Sequence, residues 1–144
     1  MRVELTRVRV KPGKSGRVDE WLAMLNSRMD EVKETLVREE MHVEVIFREI
    51  SGEDEFLYWF SIQGEAGAHV NTSPHPLDHD HIAFHEECID HDYGGRDAQA
   101  QVIILPDAVA AMLGWANPAA DAMPFERREI IHRRPGGRAG EQGG

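Results

Sequence analysis

Residues 41–63, MHVEVIFREISGEDEFLYWFSIQ, contain two stretches of alternating side chains on either side of a run of turn-forming residues. In the first stretch, Met41, Val43, Val45 and Phe47 occupy every second position and alternate with His42, Glu44, Ile46 and Arg48. This period of two is that of a β-strand, and residues 51–54 (SGED) are typical of a turn. Residues 55–63 follow with aromatic and aliphatic side chains at both alternating positions. The segment therefore predicts a β-hairpin with strands at 41–50 and 55–63.

Two elements are predicted before this hairpin. Residues 3–11 alternate charged with aliphatic side chains, which indicates a strand, and residues 12–14 (PGK) form a turn. We expect one long helix to follow, with Ser15 as its N-cap. Its apolar side chains recur at steps of four and three, at Val18, Leu22, Leu25, Met29, Val32 and Leu36.

Three elements are predicted after the hairpin: a helix that begins at Ser73-Pro74 and runs to about Asp90, a strand at 98–105, and a short helix at 106–113. The order predicts an α+β fold of the ferredoxin-like βαββαβ type, with a four-stranded antiparallel sheet and two helices on one face. Residues 1–132 are expected to form a single domain with a C-terminal extension. The glycine-rich residues 133–144 are expected to be a disordered tail.

Apolar side chains on both sides of the predicted sheet indicate that its open face has a cover. Two helices shield only one face, whereas residues 55–63 and 102–105 are apolar at both alternating positions. The face expected to stay open carries Ile46, Leu57, Trp59 and a pair from the fourth strand. A second copy of the chain is the expected cover, because two-fold dimers are the commonest assembly. Alternatively, the C-terminal helix and residues 125–131 fold over this face.

Charge and cysteine content exclude several classes of function. The formal net charge is −10, and such an acidic chain repels nucleic-acid phosphates, so we expect no nucleic-acid partner. Cys88 is the single cysteine and forms no intrachain disulfide. The first residues lack the apolar run of a signal peptide, and no stretch approaches the roughly 20 apolar residues of a membrane helix. We therefore expect a cytoplasmic protein without a membrane partner.

Residues 3–14 (VELTRVRVKPGK), 75–78 (HPLD) and 86–90 (EECID) resemble a family of small bacterial proteins known only as a domain of unknown function. The resemblance covers roughly residues 2–105 and implies no catalytic residues. The predicted architecture is also similar to that of the dimeric α+β barrel proteins, in which two ferredoxin-like sheets face each other around a cleft. That group includes cofactor-free monooxygenases, haem-degrading enzymes and proteins without known chemistry, so the resemblance does not define a function.

The histidine-rich helix is the most tempting candidate for chemistry. His81 and His85 are four residues apart on its inward side, a spacing that suits one metal ion. A zinc site would need further ligands that the sequence does not provide, so we expect a packed, neutral pair with depressed pKa values and no metal site. His75 and His79 are expected at the surface, with weak divalent-metal binding at most. Cys88 is expected in the core rather than as a nucleophile.

Polar side chains along the predicted hairpin form the candidate ligand site. His42, Glu44 and Arg48 share one side of the first strand, Trp59 lies on the second strand, and His69 follows in the next loop. Polar groups that converge within an apolar pocket are typical of a ligand site. The alternative is that these residues lie on an edge in water.

These observations predict a homodimer that binds a small organic molecule in a cleft between its two sheets, without cofactor or metal. Such a protein would act either as a binding protein or as a cofactor-free enzyme. The alternative function is that of a non-catalytic structural or interaction module. An open, polar-lined cleft favours the first function, and a cleft filled by side chains favours the second.

Overall fold

The structure is a computed structural model that describes residues 1–115. The predicted boundary at residue 132, the predicted tail at 133–144 and residues 125–131 lie outside the described residues. The elements, in chain order, are β1 (Arg2–Arg9), α1 (Ser15–Ser27), α2 (Met29–Arg38), β2 (Met41–Ser51), β3 (Asp54–Gln63), a 3-10 turn (Val70–Thr72), α3 (Pro76–Cys88), β4 (Arg96–Ala98) and α4 (Asp107–Met112).

The four strands form an open antiparallel sheet in the order β2-β3-β1-β4. The hairpin predicted from residues 41–63 is confirmed, because β2 and β3 pair from Ser51 and Asp54 back to Met41 and Gln63. Gly52, in the connecting loop, has a φ of 64°, a backbone conformation that glycine adopts without strain. The expected α+β class and four-stranded sheet are therefore correct.

The prediction of one long helix from Ser15 is wrong, because the helix is interrupted at Arg28. The Asn26 side chain donates a hydrogen bond to the Leu22 carbonyl at 2.8 Å, and the Ser27 hydroxyl donates to the Met24 carbonyl at 2.9 Å. Side chains that bond to nearby carbonyls compete with the helical ladder, so the helix ends there and α2 begins at Met29. Lys14, rather than Ser15, occupies the N-cap position of α1, without a side-chain cap.

The second predicted helix begins later than expected, at Pro76. His75 is its N-cap, and the His75 Nδ1 atom accepts a hydrogen bond from the Leu77 amide at 3.1 Å. Ser73 was the expected cap, but its hydroxyl accepts from the His75 amide at 3.1 Å and so orders the residues before the helix.

The prediction of a strand at 98–105 is also wrong in its bounds. Only Arg96–Ala98 pair with β1, and residues 99–106 have no regular secondary structure. Val102 and Ile104 are 76% and 86% exposed. A short apolar run without periodicity does not identify a strand by itself, which explains the error.

Helices α1 and α3 cover one face of the sheet and enclose the core. Val18 and Trp21 of α1 pack with Leu57 of β3 and Cys88 of α3, and all four are fully buried. Ile46 and Trp59 pack against the same cluster. The expectation that Ile46, Leu57 and Trp59 lie on the open face is therefore wrong, because the strands are turned the other way.

The opposite side of the sheet, here called the outer face, carries the other alternating side chains. Val45 and Phe47 of β2 are 37% and 53% exposed there. Towards β1, a pocket is lined by Leu5 and Phe60 of the sheet and by residues of the segment that follows β4, among them Val102, Ile103, Ile104 and Leu105. Within the described range, no helix is both long and apolar enough to cross a lipid bilayer.

Candidate functional site

A cavity of about 570 Å³ lies between the covered face of the sheet and the helices; we call it the helix–sheet cavity. Small-molecule sites commonly have volumes of about 300–1,000 Å³. Apolar side chains from α1, α2, the sheet and α3 make up much of the wall: Leu22, Leu25, Met29, Val32, Leu36, Met41, Ile46 and Leu77. Five of the six apolar side chains that recur at steps of four and three along residues 18–36 thus line this cavity, and the sixth, Val18, lies in the core.

Glu44 and Trp59 lie together on the sheet side of the cavity. They are on neighbouring strands, and the Trp59 Nε1 atom donates a hydrogen bond to the Glu44 carboxylate at 2.9 Å. Burial raises the pKa of Glu44, although the bond from Trp59 opposes this effect. Trp59 in turn packs against Trp21, with 5.5 Å between the ring centroids. The aromatic core therefore fixes the position of a polar pair that faces the cavity.

Two further carboxyl groups reach the cavity from the helix ends. Glu39 follows α2 directly, and Asp78 lies in the first turn of α3. Burial raises the pKa of Glu39 to about 7, and the nearby charges of Asp78 and Glu44 add to this effect, while Arg38 opposes it. Asp78 is only 4% exposed. Among the described residues, Glu39 Oε1 and Asp78 Oδ2 are buried without a hydrogen-bond partner.

His81 lies one turn further along α3 and also lines the cavity. Its Nδ1 atom accepts a hydrogen bond from Trp21 Nε1 at 3.2 Å, which places the ring proton on Nε2. Burial and, to a smaller extent, the nearby His85 lower the pKa of His81 to about 4, while Asp78 opposes the shift. The pKa of His85 is likewise lowered by burial. The expected neutral, packed pair is thus in agreement with the structure.

The loop between β3 and α3 closes one side of the cavity. The Gly64 amide bonds to the Glu40 carbonyl at 2.9 Å, and the Ala68 amide bonds to the Arg38 carbonyl at 3.1 Å. Gly67 lies so close to the Glu39 carbonyl that a Cβ atom at this position would overlap it. A glycine is therefore required where this loop meets Glu39, the residue whose carboxyl pKa is raised to about 7.

Three of the five predicted ligand-binding residues line the helix–sheet cavity, namely Glu44, Trp59 and His69. His69 also caps the 3-10 turn, because its Nδ1 atom accepts from the Asn71 amide at 3.2 Å. These residues face the helices of their own chain. The cavity is therefore a different place from the expected cleft between the sheets of two copies.

The other two predicted residues do not line the cavity. Arg48 bonds to the Ser15 hydroxyl at 2.7 Å and pairs with Glu55 at 2.7 Å and with Asp19, so it links β2 to α1 and β3. His42 is exposed at the irregularity in the β2–β3 pairing. Sequence reasoning also missed Glu39 and Asp78. One signal for Asp78 was its position three residues before the inward-facing His81.

Cys88 and the outer histidines have structural partners. Cys88 is fully buried, and burial raises the pKa of its thiol, so the expectation of a core cysteine is confirmed. His79 Nε2 lies 2.9 Å from the Ser73 carbonyl oxygen, and His75 serves as a cap. Both rings thus already take part in hydrogen bonds, and the weak metal binding predicted for His75 and His79 stays a prediction.

The described residues contain a single group of three or more side chains with metal-ligand spacing, namely His85, Glu86 and His91 at the end of α3. Their ligand atoms lie within 4.8 Å of one another, and His91 Nε2 is 3.1 Å from a Glu86 carboxylate oxygen. Glu86 and His91 are exposed, and the Lys11 ammonium group bonds to the Glu86 carbonyl at 2.8 Å. Exposure and an adjacent cation both weaken the attraction of this group for a metal ion.

A comparison with known protein families gives one match that spans most of the chain. The model of the Family of unknown function (DUF6176) matches residues 1–111. This range includes all the residues that line the helix–sheet cavity. No curated protein matches the chain.

Proposed function

The chain belongs to this family of unknown function, which assigns no chemistry, and we propose that it binds a small organic molecule in the helix–sheet cavity. The observation that carries the proposal is the buried Asp78 carboxyl group, whose Oδ2 atom has no hydrogen-bond partner within the described residues, at the wall of a cavity with both apolar and polar lining. A buried polar atom without a partner costs roughly 1–3 kcal/mol. Such a cost is sustained more readily at a site where a ligand supplies the missing hydrogen bond.

Catalysis without a cofactor is a second candidate function, and Glu39 is the observation in its favour. A carboxyl group with a pKa of about 7 exchanges its proton near neutral pH, as a general acid or base must. Perturbed carboxyl groups in cavities are typical of functional sites. Glu39 would then transfer a proton to or from a molecule held in the same cavity. In the non-catalytic alternative, an interaction or structural module, the cavity has no ligand.

We propose the ferredoxin-like arrangement as the finer description of the fold, with a homodimer as the assembly. The order β2-β3-β1-β4, with antiparallel neighbours, supports the first part. The exposed Val45 and Phe47 on the outer face support the second part. A dimeric α+β barrel would bring the outer faces of two copies together and would leave one helix–sheet cavity in each copy. A cytoplasmic location agrees with the free, buried thiol of Cys88.

A library of small organic molecules, screened by thermal shift against three proteins, tests the proposed binding. Leu36→Trp places a large ring in the cavity wall, whereas Val37→Trp places the same ring on an 80% exposed position of the same helix. We expect ligands that raise the Tm of the wild-type protein and of Val37→Trp but not of Leu36→Trp. Circular dichroism establishes that both variants are folded. If ligands stabilise Leu36→Trp as well as the wild type, the binding site lies outside the helix–sheet cavity. If no molecule of the library raises the Tm of the wild type, the interaction module is favoured.

A further inference from the structure

The charges around the helix–sheet cavity are unbalanced in favour of acids. Glu44 of β2, Asp78 of α3 and Glu39, which directly follows α2, contribute carboxyl groups. Arg2 is the only Lys or Arg among the described lining residues, and it is bonded to Glu4 at 3.1 Å. The second carboxylate oxygen of Glu4 accepts a hydrogen bond from Gln63 at 2.6 Å, so this acid is fully engaged. The three other carboxyl groups have no basic partner of their own among the lining residues.

Two of the acids that line the cavity carry a buried carboxylate oxygen without a hydrogen-bond partner within the described range. Asp78 is 4% exposed, and its Oδ2 atom lacks a hydrogen-bond partner within the described range, as does Glu39 Oε1. Only a ligand that donates hydrogen bonds satisfies these atoms. A donor that also carries a positive charge forms shorter and stronger bonds to a carboxylate than a neutral donor does.

The spacing of these carboxyl groups does not favour a bare metal ion. The single described group of three or more ligand atoms within 4.8 Å of one another is His85, Glu86 and His91, outside the cavity. The cavity also holds far more than an ion, since its volume is about 570 Å³. The side chains of Leu22, Leu25 and Leu36 provide an apolar wall that a metal ion would leave unused.

We propose that the ligand of the helix–sheet cavity is an organic amine in its protonated form, with a hydrocarbon body. Its ammonium group donates hydrogen bonds to the carboxyl groups of Asp78 and Glu39, and its body packs against the leucine wall formed by α1 and α2. This inference rests on the proposed function and narrows it to a class of ligand. An anionic ligand would meet three acids without a basic partner among the described lining residues, and a neutral ligand would leave their charges uncompensated.

Three probes of matched size test the charge preference: hexylammonium, hexanol and hexanoate, titrated by calorimetry into the full chain at pH 8. We expect hexylammonium to bind at least about tenfold more tightly than either of the others, which corresponds to a single charge-assisted contact. Equal affinities, or tighter binding of hexanol or hexanoate, would overturn the amine proposal and leave small-molecule binding itself standing. Failure of all three probes to bind would overturn both the amine proposal and the proposal of small-molecule binding.

Variants then identify the groups that hold the ammonium ion. Asp78→Asn and Glu39→Gln each retain size and remove charge, and we expect each to weaken hexylammonium binding about tenfold while hexanol binding is unchanged. Asp30→Asn, at a 98% exposed side chain of α2, is the matched control and should bind hexylammonium as the wild type does. Glu39 is only partly buried, so Glu39→Gln keeps the test decisive even where Asp78→Asn does not fold. Unchanged affinity in Glu39→Gln would contradict the proposed contact.

Discussion

Glu39 retains its proton to a higher pH than an ordinary glutamate, because burial and the acids Asp78 and Glu44 oppose its ionisation. Its pKa is about 7 in the folded chain, above the ordinary value of 4.5 that applies when the chain is unfolded. Below pH 4.5 the group is neutral in both states, so it costs the fold nothing. The cost of ionisation develops between pH 4.5 and 7, and stability falls as the pH rises through that range.

Glu39→Gln removes this cost, so we expect the variant to be more stable than the wild type at pH 8 and nearly equal to it at pH 4.5. Partial exposure screens the effect, which we estimate at about 1–2 kcal/mol. Urea unfolding at the two pH values measures it. Glu34→Gln, at a 73% exposed side chain of the same helix, should show no such pH-dependent gain. An equal gain for Glu39→Gln at both pH values would contradict the raised pKa.

His81 has the opposite pH dependence. Its pKa is lowered from 6.5 to about 4 by burial and by His85, so the unfolded chain takes up a proton there more readily than the folded chain. Above pH 6.5 the neutral, buried ring makes its full contribution to the free energy of unfolding, roughly 2–3 kcal/mol. This contribution is lost as the pH falls towards 4. We expect the imidazole signals of His81 in an NMR titration to have a midpoint near pH 4. A midpoint near 6.5, as for an exposed histidine, would show that the ring is not buried as described.

Some site residues could be predicted from the sequence and others could not. Trp59 and Glu44 were identified because alternation along a strand places polar and aromatic side chains on one face. These two residues were assigned to the wrong face of the sheet. Alternation shows which residues share a face, but it does not show which face the helices cover. Glu39 and Asp78 were missed because acids on helices usually face water, and their burial depends on how α2 meets α3.

Among the elements, the β2–β3 hairpin was predictable because alternation and turn chemistry agreed over residues 41–63. The interruption at Arg28 was not, since side-chain bonds from Asn26 and Ser27 end α1 without disturbing the apolar spacing. The bounds of β4 were not predictable either. Its pairing with β1 stops at Ala98, whereas the apolar run on which the prediction rested is residues 102–105.

The loop between β3 and α3 is the element most sensitive to a single added methyl group. Gly67→Ala would place Cβ against the Glu39 carbonyl, whereas a Cβ at Gly16 in α1 meets nothing within 4 Å. We expect Gly67→Ala to lower the free energy of unfolding by about 1–3 kcal/mol, and Gly16→Ala to leave it unchanged or raise it slightly. Thermal unfolding of the two variants provides the comparison. Equal stability of Gly67→Ala and the wild type would mean that the loop does not pack against Glu39.

For the whole molecule, the outer face of the sheet determines the proposed assembly. Light scattering should give about twice the chain mass of 16.3 kDa for the wild type, since a second copy would cover Val45 and Phe47. Phe47→Glu places a charge in that contact and should give the monomer mass, whereas Val37→Glu, 80% exposed on α2, should remain dimeric. A monomeric wild-type protein at micromolar concentration would end the dimer proposal without affecting the helix–sheet cavity.

An NMR titration of the full chain with hexylammonium locates the bound ligand within the molecule. The NMR signal of the Trp59 indole proton, which bonds to Glu44, should shift as hexylammonium is added. The amide signals of three other lining residues should shift with it and fit the same dissociation constant, namely those of Leu36, Glu39 and Asp78. The amide signal of Phe47, on the outer face, should not shift. Shifts confined to the outer face, with the Trp59 indole proton unmoved, would contradict a binding site between the sheet and the helices.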